Sequence, residues 1–353
     1  MIVNASNPPH RLSRRRPPPR WLMPVLRPYR RIVRARKVCR ARIFFVCGHP
    51  KSGTNWIANL INLHPQMLCK GELHLQHVRR AVLDLRGNPI YRLGRRMRPT
   101  IELHFARFVR ECLVTMNRDR PGAFVLGDHS PLPLMHMLED PTAKYVHITR
   151  DGRDVLVSHT YHLLRVRQRH WIPDGAREVY SDARARVESA PESAREQAHI
   201  LLGCEPWVRE LGGRWADRAR IDQAALDDPE WDLKSRTLQV RYELLHADIE
   251  GQRRRLYEFL GVDPSLAMPV SAQTRTLPGL APPGAERPEN PRSLYRKGAV
   301  GDWKNYLNDK ARRGYHEAAG SELIRLGYEP DDSWIRTNAD VVVRPAAPGV
   351  TAA

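Results

Sequence analysis

Three short segments carry the residue types that bind and transfer anionic groups. The first is Gly48-His49-Pro50-Lys51-Ser52-Gly53-Thr54-Asn55-Trp56. A glycine-bounded loop between a strand and a helix turns successive backbone N–H groups toward one point. The helix N-terminus adds positive potential there, so a phosphate can settle. The second segment runs from Tyr145 to His159 and contains Arg150, Asp151, Arg153, Asp154 and Ser158. Arg150 ends a strand, at the edge where open α/β sheets bind ligands, and Ser158 falls two turns into the next helix. A guanidinium and a hydroxyl are thus available to one phosphate. The third, Tyr295-Arg296-Lys297-Gly298-Ala299-Val300-Gly301-Asp302-Trp303-Lys304-Asn305, places two adjacent cations before a glycine. It follows a Pro- and Gly-rich stretch, Leu277–Pro291, and so suits a lid that closes over an anion.

The spacing of Gly48 and Gly53 is that of a P-loop, but the lysine that should follow the second glycine is replaced by Thr54. The lysine stands inside the loop instead, as Lys51. From there it reaches a bridging oxygen more readily than the terminal phosphate of a triphosphate, which argues against an ordinary NTPase. Only eight of the 58 Lys and Arg residues are lysine. In so arginine-biased a chain, a lysine in the glycine loop points to a need for a compact ammonium.

The elements that position these segments follow from hydrophobic periodicity. Ile43–Val46 reads as a buried strand stopping at Gly48 and Pro50, and Thr54–Leu63 as a helix ended by His64-Pro65. Further strands are expected at Ala123–Leu126, Tyr145–Thr149 and Leu238–Tyr242. Helical patterns lie at Leu132–Leu138, Val155–Val166, Ala194–Ala219, Ala247–Leu260 and Asn308–Leu326. Alternation of this kind predicts a three-layer α/β/α domain around a mostly parallel sheet. The expected organisation is a basic tail over 1–42, one folded domain over 43–330 and a short tail over 331–353.

The chain has 353 residues and a formal net charge of +19. Residues 1–42 hold thirteen Arg or Lys and no acid, leaving 45 basic against 39 acidic residues elsewhere. The tail therefore reads as a disordered, solvated segment with an anionic lipid or nucleic acid as its alternative partner, and Met23 is an alternative start. The apolar run Trp21–Leu26 is broken by Pro24, so it is no secretory core. No apolar stretch approaches the roughly 18 residues of a membrane span. Five scattered cysteines without a CxxC pair predict neither disulfide framework nor zinc ribbon, and fit a cytoplasmic location. His159, His162 and His170 have no partner pattern that completes a metal site, so no metal is expected.

Taken together, Lys51–Trp56, Arg150–Ser158 and Arg296–Asn305 resemble, in order, three segments of sulfotransferases dependent on 3′-phosphoadenylyl sulfate (PAPS): PKSGTTW, the 3′-phosphate segment and RKGxxGDWKN. The resemblance covers about residues 43–330 and implies the P-loop-like sulfotransferase fold. It implies that Lys51, Ser52, Gly53, Thr54, Asn55 and Trp56 hold the 5′-phosphosulfate and adenine. Arg150, Ser158, Arg296, Lys297 and Gly298 would hold the 3′-phosphate, and Tyr242 would lie near adenine. Asn55 stands where the family has a second threonine.

The implied reaction moves a sulfuryl group to a hydroxyl or amine and releases PAP. It needs a base for the acceptor proton and a cation for the departing phosphate oxygen, the latter being Lys51. Two bases are available. Glu72, in Gly71-Glu72, resembles the glutamate of tyrosylprotein-type enzymes, and His129, in Gly127-Asp128-His129, resembles the histidine of the cytosolic ones without their KTH context. Glu72 is preferred of the two. The acceptor, whether small molecule, carbohydrate, lipid or peptide, has no signature in the chain. The rival readings are a P-loop kinase or NTPase and a non-catalytic anion-binding protein.

Overall fold

The computed structural model describes residues 36, 38–87, 97–116, 120, 122–134, 142–270 and 297–335. Its centre is a five-stranded sheet of β1 (Arg42–Gly48), β2 (Met67–Gly71), β3 (Val125–His129), β4 (Lys144–Thr149) and β5 (Thr237–Arg241). The strand order is β2-β3-β1-β4-β5 and every pairing is parallel. The sheet thus has the parallel arrangement that the helix–strand alternation predicts, and its central strands are apolar on both faces. Phe44 and Val46 of β1 pack with α1 (Thr54–Asn62) and α10 (Ile249–Leu260). Ile43, Phe45 and Cys47 pack on the other side with α3 (Met97–Met116) and the end of α7 (Glu205–Asp227). A third core joins α4 (Gly152–Arg165), α5 (Arg177–Ser189), α6 (Ala194–Gly203), α7 and α11 (Asp309–Arg325).

Several elements differ from expectation. The helix expected over Ala194–Ala219 is two, because Pro206 cannot continue α6 and Cys204 is extended between them. Likewise, Asp248 separates the short α9 (Tyr242–Ala247) from α10, its carboxylate accepting from Gly251 N at 2.9 Å. Strand β3 begins and ends later than Ala123–Leu126, running through Gly127-Asp128-His129. Gly127 is required there, since a Cβ would lie 2.3 Å from the Phe44 ring. Strand β2 was not expected from its sequence. It is secured by Asn62, whose side-chain amide bonds both Cys69 O at 2.9 Å and Cys69 N at 2.8 Å. The helices α2 (Gln76–Gly87), α3, α5 and the one-turn α8 (Leu233–Arg236) are not anticipated by the sequence pattern either. Leu132–Leu134 form no α-helix, and the rest of that expected helix, like Leu277–Pro291, lies outside the described residues.

The folded body extends slightly past both expected ends. Val38 and Ala41 are buried, and their carbonyls accept from Arg110 at 3.4 and 2.9 Å. Trp334 is also buried, with its ring against Trp303.

Candidate active site

The loop Gly48–Thr54 leaves the carboxyl end of the central strand β1. A Cβ at Gly48 would lie 2.4 Å from Ile148 O, so only glycine lets β1 end this close to β4. Lys51 has φ 71°, a left-handed conformation that lysine adopts only under constraint. Ser52 N donates to His49 O at 3.1 Å and closes the turn. Gly53, at φ 107°, caps α1, and its carbonyl accepts from Trp56 N and Ile57 N. A Cβ on Gly53 would lie 2.8 Å from the Tyr242 ring. The first turn of α1 carries no acid, leaving its N-terminal potential uncancelled. Ser52 Oγ, Trp56 Nε1 and Arg150 Nε are buried without hydrogen-bond partners. Three unsatisfied polar atoms around one loop fit a polar ligand with several oxygens and ring nitrogens.

Arg150 follows β4 and is buried across the loop from Lys51. Its guanidinium donates to Lys51 O at 3.2 Å and to Ala299 O at 2.9 Å, and lies 4.1 Å from the centre of the Tyr242 ring. Tyr242 starts α9, directly after β5, and its hydroxyl donates to Gly298 O at 2.8 Å. Its ring stands edge-on to Trp56 with centroids 5.0 Å apart. Burial and the charges of Arg150 and Arg165 push the Lys51 ammonium down to about 8, against the opposing pull of Glu72.

The third segment arrives through α4. The Asp154 carboxylate accepts from Gly301 N at 2.7 Å and Trp303 N at 3.0 Å, fixing the chain just after Lys297 and Gly298. Arg153, ion-paired to Asp151 at 2.7 Å, stacks 3.9 Å from Trp303 and 4.7 Å from Trp334. Lys297 Nζ is 4.0 Å from Asp302. Ser158 is half-buried in the second turn of α4, on the same helix as Asp154. Arg296 lies outside the described residues. In the sequence Asp154 is only one of the charged residues between Arg150 and Ser158. Its role in tying down the glycine segment is visible only in three dimensions, because the bonds span 147 and 149 residues.

Glu72 and His129 sit side by side at the rim, Glu72 N donating to His129 O at 2.9 Å. The Glu72 side chain is 49% exposed, and its Oε2 lies 3.9 Å from His74 Nε2. His129 is more constrained. Its Nδ1 is 2.9 Å from Lys70 O and must donate to it, while Nε2 is 2.7 Å from Asn55 Oδ1. Burial pushes the His129 imidazole below its ordinary range, which keeps it neutral. A neutral ring that donates from Nδ1 has only a lone pair at Nε2, so it bonds Asn55 with the amide turned to present its NH2 in place of Oδ1. Gly71 makes room for this ring, since a Cβ there would lie 2.3 Å from His129 Cε1. Beneath them Asp128 accepts from Ser130 Oγ at 3.0 Å and Leu73 N at 3.3 Å, and burial raises its carboxyl to about 6.

Residues 42–327, which include all three segments, match the family model described as sulfotransferase domain. The chain belongs to the sulfotransferase domain family. Among curated sulfotransferases, cytosolic sulfotransferase 17 of Arabidopsis thaliana is 26% identical over 308 residues, spanning 81% of this chain and 75% of its own. Human sulfotransferase 1C2 is 24% identical over 276 residues, spanning 74% of this chain and 76% of its own. Mouse sulfotransferase SULT7A1, solved in complex with PAP, aligns over 81% of this chain and 84% of its own, with 18% identity and a TM-score of 0.43. As a member of this family the protein is a transferase of sulfonate groups. No group of side chains among the described residues is arranged to hold a metal ion, and no described helix is long and apolar enough to cross a membrane.

Proposed function

We propose that this sulfotransferase uses PAPS as donor and transfers its sulfuryl group to a hydroxyl or amine acceptor, releasing PAP. The observation that carries this reading is the convergence of the strained Lys51 loop with Arg150, bonded through Lys51 O, around buried and unsatisfied Ser52 Oγ, Trp56 Nε1 and Arg150 Nε. When bound, PAPS supplies the sulfuryl group and a good phosphate leaving group. Lys51, the loop N–H groups of Gly53 and Thr54, and the α1 N-terminus place positive potential where negative charge develops on the departing oxygen. Arg150, Ser158, Arg296, Lys297 and Gly298 hold the 3′-phosphate. Trp56 and Tyr242, already edge to face, offer adenine an aromatic wall, with Asn55 between that wall and the rim.

Glu72 takes the acceptor proton. Its carboxylate is half exposed and opposes the charges that act on Lys51, whereas both ring nitrogens of His129 are engaged. His129 instead orients Asn55. A cytoplasmic location agrees with five cysteines that form no disulfide and with the cytosolic sulfotransferase of Arabidopsis among the relatives. Screening small-molecule, carbohydrate, lipid and peptide acceptors with labelled PAPS tests the reading. Label transfer that Lys51→Ala abolishes is the expected result, and full transfer by Lys51→Ala would refute the mechanism.

A further inference from the structure

A buried ion pair outside the ligand-facing residues joins the ends of the strands that carry them. Arg218 and Asp222 lie one turn apart on α7, with side chains 12% and 2% exposed, and Arg218 Nε donates to Asp222 Oδ2 at 2.8 Å. Arg218 Nη2 donates to Gly48 O at 3.0 Å, at the last residue of β1 and three before Lys51. Asp222 also accepts from His147 Nε2 at 3.1 Å, on β4 and three residues before Arg150. Its Oδ1 accepts from Leu134 N at 2.9 Å, in the segment that follows His129. One ion pair thus reaches the segments leading to or from Lys51, Arg150 and His129.

We propose that Arg218, oriented by Asp222, is a positioning residue that fixes the phosphate loop in its anion-binding conformation. A left-handed lysine persists only where its surroundings over-determine the backbone. Immediately upstream of Lys51, Pro50 has no N–H with which to anchor the chain, and Gly48 has no side chain. Beyond its pairing with Ile148 in the sheet, Gly48 is held by Arg218 gripping its carbonyl oxygen, and the Ile148 carbonyl leaves no room for a Cβ there. Losing that grip frees the Gly48–His49 peptide to rotate, and the rotation passes directly to Lys51 and the amides behind it. The pair is well suited to the task. Burial raises the Asp222 carboxyl, but the bond from His147 and the charge of Arg218 outweigh this and hold it below the ordinary carboxylate range, so it stays ionised. The guanidinium fork serves two acceptors at once in a fixed geometry, which an ammonium cannot do.

That the loop binds PAPS rests on the function proposed above, but the constraint on the loop does not, and the test separates them. Hydrogen exchange at the amides of residues 51–54 is measured in wild type, Arg218→Lys and the double variant Arg218→Met/Asp222→Asn, beside PAP titration by calorimetry and thermal melts. The double variant removes both charges together, so no buried carboxylate is stranded if Arg218→Lys fails to fold. Its amide still accepts from Leu134 N and donates to the other tautomer of His147. A positioning role predicts loop exchange at least tenfold faster and PAP affinity at least tenfold weaker, out of proportion to any change in melting temperature. Variants that melt lower while loop exchange and PAP affinity match wild type would overturn the proposal. Wild type that fails to bind PAP counts against the donor assignment alone, and loop exchange still decides the role of Arg218.

Discussion

The Arg150 guanidinium lies 4.1 Å from the centre of the Tyr242 ring, and the Tyr242 hydroxyl in turn holds Gly298 O at 2.8 Å. These contacts connect the ends of β4 and β5 to the glycine segment that follows Lys297. Removing the hydroxyl while keeping the ring isolates one contact. Tyr242→Phe is expected to weaken PAP binding about two- to tenfold, the worth of one neutral hydrogen bond, with little change in melting temperature. Tyr242→Leu, which also removes the ring beneath Arg150 and beside Trp56, weakens it further. Calorimetric titration of both variants checks the order, and equal affinity in Tyr242→Phe and Tyr242→Leu contradicts it.

The depressed Lys51 ammonium makes donor binding depend on pH. The charged form binds the anion, and in the free protein that form is lost as pH rises through about 8. Above about pH 7, where the phosphates of PAP are fully ionised, PAP affinity therefore falls as pH passes 8, approaching a tenfold loss per unit while no bound-state titration intervenes. Lys51→Arg, whose guanidinium stays charged, removes this break even if it binds more weakly throughout. A wild-type profile that stays flat from pH 7 to 10 removes Lys51 from the binding site.

Glu72→Gln and His129→Ala separate the two candidate bases. Loss of a general base typically lowers turnover by about 10²- to 10⁴-fold. That loss is expected for Glu72→Gln with PAP affinity unchanged. His129→Ala releases Asn55 from its 2.7 Å contact and is expected to weaken PAP binding a few-fold, with a smaller effect on turnover. Turnover measured at saturating PAPS distinguishes the cases, and the reverse pattern assigns the base to His129.

Asp154 is predicted to matter for both stability and ligand binding. Asp154→Ala strands the N–H groups of Gly301 and Trp303. With about 1–3 kcal/mol for each buried donor left unpaired, the melting temperature should fall by about 3–10 °C. PAP affinity falls with it, because the anchored segment carries Lys297 and Gly298. Calorimetric melts with and without PAP measure both effects.

The parts of the molecule legible in the sequence are those written in local pattern. Ile43–Val46, the turn at Gly48 and the helix from Thr54 are contiguous, and the three segments were recognisable in order. Tyr180, Ala183 and Val187, the buried stripe of α5, also have helical spacing, but exposed charged residues surround them and obscure it. What was hidden lies across the fold. Strand β2 depends on Asn62 for its edge, and Asp154 acts on residues far along the chain. That the His129 ring lies between Lys70 O and Asn55 Oδ1 is likewise visible only in the fold.

The central claim is that the Lys51 loop and Arg150 form a site for PAPS and not for a nucleoside triphosphate with its metal. Thermal stabilisation of the full chain by PAP, compared with ATP plus Mg²⁺, tests it directly. At a ligand concentration about 100 times the dissociation constant, binding adds about 2.7 kcal/mol to stability, a shift of several degrees. PAP is predicted to give that shift, with ATP–Mg²⁺ giving little or none and Lys51→Ala losing it. Stabilisation by ATP–Mg²⁺ alone would contradict the account.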